Sequence, residues 1–319
     1  MGSATVLMAR MIAPYTYESL GNRPLAQHPN SEDTEAMNLP AFERNQHHAQ
    51  GLFDPDGIFF RVNRESVLLI GGGAALLMQV AHPKIAAAVN EHSQFREQPL
   101  KRLYRTIRAM QDIVFGDTET ALATAARIQD IHARVYGTLP EASQAYPDGS
   151  RYSALDPQLV LWVYATLMET MLRTYKAAVR PLSAAEETEF LQQSRIIAEL
   201  FGAPADIVPT TSGAFRAYFA EMLMGPELDI TPTARSVAKD IIHPPITGVP
   251  DRLGDLISVP ALALLPDILR QRYGFKWDRK RRVAWKVARR LIREALPYTP
   301  ELARISGSAR RAEKRIANA

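Results

Sequence analysis

The sequence predicts an all-α protein built as one large helical domain. Three observations lead there. From residue 57 onward, apolar positions recur at three- and four-residue spacing almost without interruption, the period of a helix with one buried face. The segments carrying this period open on cap residues or proline and close on glycine or proline, which punctuate helix ends. No run of strict apolar–polar alternation is long enough for a sheet, and no repeat of fixed period is present.

The elements follow in order. Residues 1–50 are rich in Pro, Asn, His and acidic groups without a sustained period, and read as an extended or partly ordered leader. After the short apolar patch Gly57–Val62, the apolar stretch Ser66–Ala81 contains three glycines and is shorter than the roughly 20 residues of a membrane span. It reads as a loop entering a buried helix over Gly73–Ala81. Helices are expected next at Pro83–Asn90, Leu100–Val114, Glu119–Tyr136, Pro157–Val179, Ala184–Phe201, Thr211–Leu223, Pro232–Ile242, Pro260–Tyr273 and Arg279–Ala295. Pro157, Pro232 and Pro260 stand at first-turn positions, where a missing N–H costs nothing, and Ser183 caps the helix that carries Glu186. Gly202 and Gly137 mark stops. The expected organisation is a leader over 1–50, a helical domain over 51–274 and a basic helical extension over 275–319, mobile from Ser306.

The chain has no cysteine, which excludes disulfides, thiolate ligation, iron–sulfur clusters and covalent haem attachment. Any metal must be held by His or carboxylate, or arrive in a cofactor with its own nitrogens. The N-terminal run MGSATVLMARMIAPYT is broken by Arg10 and Pro14 and has no small-residue cleavage site, so a cytoplasmic, soluble protein is expected. Net charge is +4, but residues 275–319 carry 14 Lys/Arg against 4 Asp/Glu. An acidic body therefore bears a basic tail.

Two neighbouring helices carry the residues that invite chemistry. On Glu119–Tyr136, Leu122, Ala125, Ile128 and Val135 form a stripe that faces the core, and His132 lies on it. A histidine there is either a hydrogen-bonded core residue or a metal ligand. On the preceding helix, Arg102, Arg105 and Thr106 share one face by their spacing, beside the apolar Leu103, Ile107, Met110 and Val114. Such a face is either a solvated basic surface or one side of a site. A turn at Phe115-Gly116-Asp117 sets the two helices antiparallel, with a gap between these faces that a flat apolar cofactor could fill. No pair of histidines has the spacing of a bare zinc or iron motif.

The motifs LMQVAHP (77–83), NEHS (90–93), Arg102-x-x-Arg105-Thr106, Phe115-Gly116, Ile131-His132-x-x-Val135-x-Gly137, LDP (155–157) and WVYA (162–165) occur in an order and spacing that resemble the DUF2236 family of rubber-oxygenase-like and MpaB-like proteins. The likeness runs from about residue 57 to about residue 225. It implies a globin-like helical core holding one non-covalent haem b, with dioxygen used to cleave isoprenoid double bonds. The family's iron-binding histidine falls on His132, and its Arg-x-x-Lys-Thr on Arg102, Arg105 and Thr106. Arg105 departs from the family's lysine; a guanidinium stays protonated and offers no lone pair, so it cannot ligate iron but can donate to bound oxygen or a haem carboxylate. Glu91 and Glu97 are the nearest candidates for the family's catalytic glutamate, and Tyr164 stands where relatives carry histidine. His82, His92 and His243 read as structural, with His92 the second candidate ligand. Met168, Met171, Met222 and Met224 are either plain core or the lining of a substrate channel.

The basic segment 275–294 has Trp285, Ala288 and Ile292 on one face. It fits three roles: packing on the acidic body, peripheral contact with anionic lipid, and nucleic-acid binding, the last unsupported by any recognised motif. The functional expectation is a haem-dependent oxygenase acting with dioxygen on a small hydrophobic substrate; the alternative is a non-catalytic haem-binding or gas-sensing protein.

Overall fold

Helical periodicity becomes helix nearly everywhere. The computed structural model describes residues 51–92, 99–243 and 251–318, with side chains from residue 104 in the second stretch and 258 in the third. The expected leader and Glu97 lie outside these residues. In chain order the helices are α1 Ile58–Asn63, a 3-10 turn Ser66–Gly71, α2 Gly72–Gln79, α3 Pro83–His92, α4 Pro99–Phe115 and α5 Thr118–Ala133. Two short strands follow, β1 Tyr136–Thr138 and β2 Arg151–Ser153. Then come α6 Pro157–Ala178, α7 Ala184–Leu200, α8 Ser212–Met224, α9 Pro232–Ile242, α10 Asp251–Leu264, α11 Asp267–Tyr273 and α12 Arg279–Ala295. A 3-10 turn Leu296–Tyr298, the short α13 Glu301–Arg304 and α14 Gly307–Ala317 close the described chain.

Local sequence sets most of the ends. The Asp117 carboxylate accepts from Thr120 N at 2.7 Å and opens α5. Asp156, followed by Pro157, does the same for α6, and Ser183 and Glu186 form a reciprocal capping box at α7.

The core is organised around α6, whose Trp162, Tyr164, Ala165 and Met168 are buried. Helix α6 packs against α2, α7, α12 and the turn Ser66–Gly71. That last approach needs a glycine: a Cβ on Gly71 would lie 2.4 Å from Thr174 Oγ1. The C-terminal carbonyls of α2, which have no partner within the helix, are taken up from a distance. Trp162 Nε1 donates to the Met78 carbonyl at 3.1 Å and the Tyr273 hydroxyl to that of Leu77 at 2.8 Å. Among the described residues no single helix is long and apolar enough to cross a membrane.

Four expectations are corrected. The helix bearing His132 ends at Ala133 rather than Tyr136, because Tyr136, Gly137 and Thr138 pair antiparallel with Ser153, Tyr152 and Arg151. Each strand is only three residues long, below the length at which alternation is visible. Pro260 lies inside α10 instead of opening it, and Pro266 precedes the next helix. The terminal segment expected to be mobile from Ser306 is instead a helix, α14, with Ala309 and Ala312 buried against the body.

Candidate functional site around His132

His132 occupies the last turn of α5, half-buried, beside the C-terminal end of α7. Its ring is tilted against Phe201, with centroids 6.1 Å apart. One turn earlier, Gln129 donates to the Leu200 carbonyl at 2.5 Å and fixes the helix against α7. The His132 Nδ1 is buried and has no hydrogen-bond partner. Desolvation lowers its pKa below the ordinary value, so the ring is neutral near pH 7. A buried nitrogen left unbonded costs free energy unless something outside the chain engages the ring.

The loop Gly116-Asp117 folds α4 and α5 into a packed hairpin. At 1.5 Å per residue, Arg105 lies roughly 15 Å and His132 roughly 21 Å from that loop, which puts both toward the open end of the hairpin. Arg105 and Thr106 are solvent-exposed on α4, so the dry gap expected between them and the histidine face is not formed by these two side chains. The side chain of Arg102 lies outside the described residues.

Glu91 and His92, both singled out in the sequence, join Tyr152 in a polar cluster that packs next to β1. The Tyr152 hydroxyl donates to Glu91 Oε2 at 2.5 Å, and His92 Nε2 reaches the Tyr136 carbonyl at 3.1 Å and the Tyr152 oxygen at 3.2 Å. A Cβ on Gly137 would lie 2.6 Å from the Tyr152 hydroxyl and 3.0 Å from Glu91 Oε2, so glycine is required where the sequence suggested a helix stop. Tyr152 is the residue that sequence reasoning missed, and its only signal was the pairing of two short segments that each hold a tyrosine.

The other candidates have structural surroundings. Buried His82 accepts from Lys84 N at 3.2 Å and closes the start of α3. His243 is an exposed C-cap of α9. Tyr164 is buried, shares a hydrogen bond of 2.8 Å with Ser194, and is pushed up to about 12 by burial. Met168 is core and Met224 is 72% exposed, so the four methionines do not line one surface. Among the described residues no group of three or more His, Asp or Glu side chains could hold a metal ion. A metal at His132 would have to bring most of its ligands with it.

The family model described as "ER-bound oxygenase mpaB/B'/Rubber oxygenase, catalytic domain" matches residues 61–294. The chain belongs to this family. The match runs from α1 to the last turn of α12 and makes this an oxygenase-type catalytic domain. The MpaB/rubber oxygenase fold is also found by structural comparison. The solved structure of latex clearing protein in its closed state superposes with a TM-score of 0.54 at 16% identity, covering 98% of this chain and 86% of that one. Identity this low speaks for the fold alone, and it agrees with the all-α class read from the sequence. No match was found among the curated proteins.

Proposed function

We propose that this MpaB/rubber oxygenase domain is a haem b-dependent oxygenase that uses dioxygen on a small hydrophobic, isoprenoid-like substrate. The observation that carries the proposal is the orphaned, buried Nδ1 of His132 on an imidazole held neutral by desolvation. A neutral ring in a half-dry position with an unsatisfied nitrogen has the protonation state an iron ligand needs. Haem b, when bound, would supply an iron centre able to take up and activate dioxygen.

The chain's own residues have separable roles. His132 would hold the iron and fix the cofactor's position. Arg102 and Arg105 would pair with its carboxylates; Arg105 and Thr106 would donate hydrogen bonds where negative charge builds up on oxygen. A guanidinium offers N–H donors and no lone pair, so Arg105 would act as a donor and not as a ligand. Glu91, which accepts from the Tyr152 hydroxyl at 2.5 Å, is the described one of the two glutamates that the family likeness offers for accepting a substrate proton.

The test is purification from haem-replete cells, comparing visible spectra of wild type and His132→Ala, followed by oxygen uptake with a panel of terpenoids. The wild type is expected to carry a haem band that the variant loses or shifts. A colourless wild type, or a variant with an unchanged axial-ligand spectrum, overturns the assignment. Bound haem without substrate-dependent oxygen uptake would leave a non-catalytic haem protein.

A further inference from the structure

Helix α12 carries eight Lys/Arg and one acidic residue, Glu294, which Arg290 engages at 2.7 Å. One side is docked: Trp285, Ala288 and Ile292 are half-buried where the helix packs on α6 and α10. Arg293 donates to the carbonyls of Lys176 and Ala177 and pins the end of α12 to the end of α6. This satisfies the first of the three roles the sequence suggested, and it leaves the other side of the helix unused.

That outer side mixes charge with an aliphatic stripe. Val283, Val287 and Leu291, one turn apart, are 53%, 50% and 59% exposed. At 100° per residue, their stripe is centred roughly 130° round the helix from the docked face. Exposed Arg279 and Lys286 lie along one side of it, and Lys280 and the Arg290-bound Glu294 fall within its arc near the two ends of the helix. Beyond the helix end, Tyr298 and Leu302 are also exposed apolar residues, at 88% and 73%.

We infer that this face docks on a bilayer bearing anionic phospholipid, with Val283, Val287 and Leu291 entering the headgroup boundary and the flanking cations meeting lipid phosphates. Charge complementarity selects the occupant. A second copy of the chain related by a two-fold axis would set a cationic helix against its own like. Nucleic acid would use the cations and gain nothing from three exposed aliphatic side chains. An anionic bilayer uses both, as surface-lying amphipathic helices do. The inference does not depend on the haem assignment, and its test reads binding alone.

The experiment is flotation of the full-length protein with phosphatidylcholine vesicles, with and without about one-third phosphatidylserine. Wild type is expected to float at least about tenfold more with the anionic vesicles, and less as salt rises. The variant V283Q/V287Q/L291Q keeps every charge, and R279Q/K280Q/K286Q keeps the stripe. Each is expected to lose about tenfold in partitioning while its circular dichroism and melting stay as in wild type, since all six side chains are exposed. Equal flotation on neutral vesicles overturns the inference, as does a stripe variant that floats like wild type. So does a dimer that the stripe variant dissociates, or duplex RNA retained more tightly than anionic vesicles.

Discussion

Tyr152 and Glu91, on β2 and on the last turn of α3, share a hydrogen bond of 2.5 Å that joins the hairpin after the His132 helix to α3, two helices before it. Burial and the carboxylate hold the Tyr152 phenol above its ordinary pKa, so it remains a donor at all physiological pH. Glu91 is half-exposed, which tempers the value of the bond. Tyr152→Phe is expected to lower stability by about 1–2 kcal/mol in urea titration. Gly137→Ala should cost at least as much, because its Cβ meets the same hydroxyl at 2.6 Å. Combining the two should cost somewhat less than their sum, since the phenylalanine removes the closest clashing atom, although the ring carbon Cζ at 2.8 Å stays. Strict additivity would show that the hydroxyl and Gly137 are uncoupled.

Stability is expected to fall with mild acid because of His82. Burial first, and the charge of Lys84 second, bring its pKa down to about 3. An unfolded histidine takes its proton near 6.5, whereas the folded one refuses it until about 3. The contribution is therefore complete above the unfolded value and is lost as pH falls through the window below it, by up to roughly 1.4 kcal/mol per pH unit. His132, also depressed by burial, adds a slope of the same sign. Asp117 and Glu186, both lowered, contribute only in the more acidic carboxylate range. Denaturant titrations between about pH 5 and 7 should show a shallower slope for His82→Asn, whose carbonyl can replace Nδ1 as acceptor for Lys84 N. Parallel slopes would rule out His82 as the source.

Arg304 grips buried Glu65 through Nε at 2.9 Å and Nη2 at 2.6 Å. Removing the guanidinium strands a carboxylate whose side chain is 5% exposed. Arg304→Ala is expected to cost about 2–3 kcal/mol, somewhat discounted because the arginine is partly open to water. Replacing both partners, as in E65L/R304M, should recover most of that loss in guanidinium unfolding. A double variant no better than the single one would contradict this account.

The two side chains that cap α2 should differ in cost. Tyr273→Phe removes only a hydroxyl from the Leu77 carbonyl and should lower stability by about 1 kcal/mol. Trp162→Phe removes a donor to Met78 and also leaves a void in the core, for about 2–3 kcal/mol. Thermal unfolding of the pair checks the order.

Long amphipathic helices and their caps were legible because their signals are local. Ser183 with Glu186, Asp156 with Pro157 and Thr231 with Pro232 each sit at the expected start. The position of His132 on an inward stripe was equally legible, as was the docked face of α12. The sequence hid what depends on distant partners. The β1–β2 pairing that ends α5 early joins residues Tyr136 and Ser153, neither of which carries a strand-length pattern of its own. The ordering of α14 depends on α4, far back in the chain, so its small, charged sequence looked like a tail. The exposure of Arg105 and Thr106 could not be read from their spacing, because a shared face does not say which way it points.

The docking of α14 has a consequence for how the protein is made. Ser308 donates to Gln111 at 3.0 Å and Arg315 to the Phe115 carbonyl at 3.0 Å, so α4 is covered by residues translated about 200 positions later. During synthesis the hairpin that presents His132 must wait, one flank uncovered, until those residues clear the ribosome. Pairings of such long range are slow to form and leave apolar surface open meanwhile. The nascent chain therefore acquires its finished α4–α5 environment only once α14 has been made and docked, and until then the uncovered flank is a place for chaperones to bind.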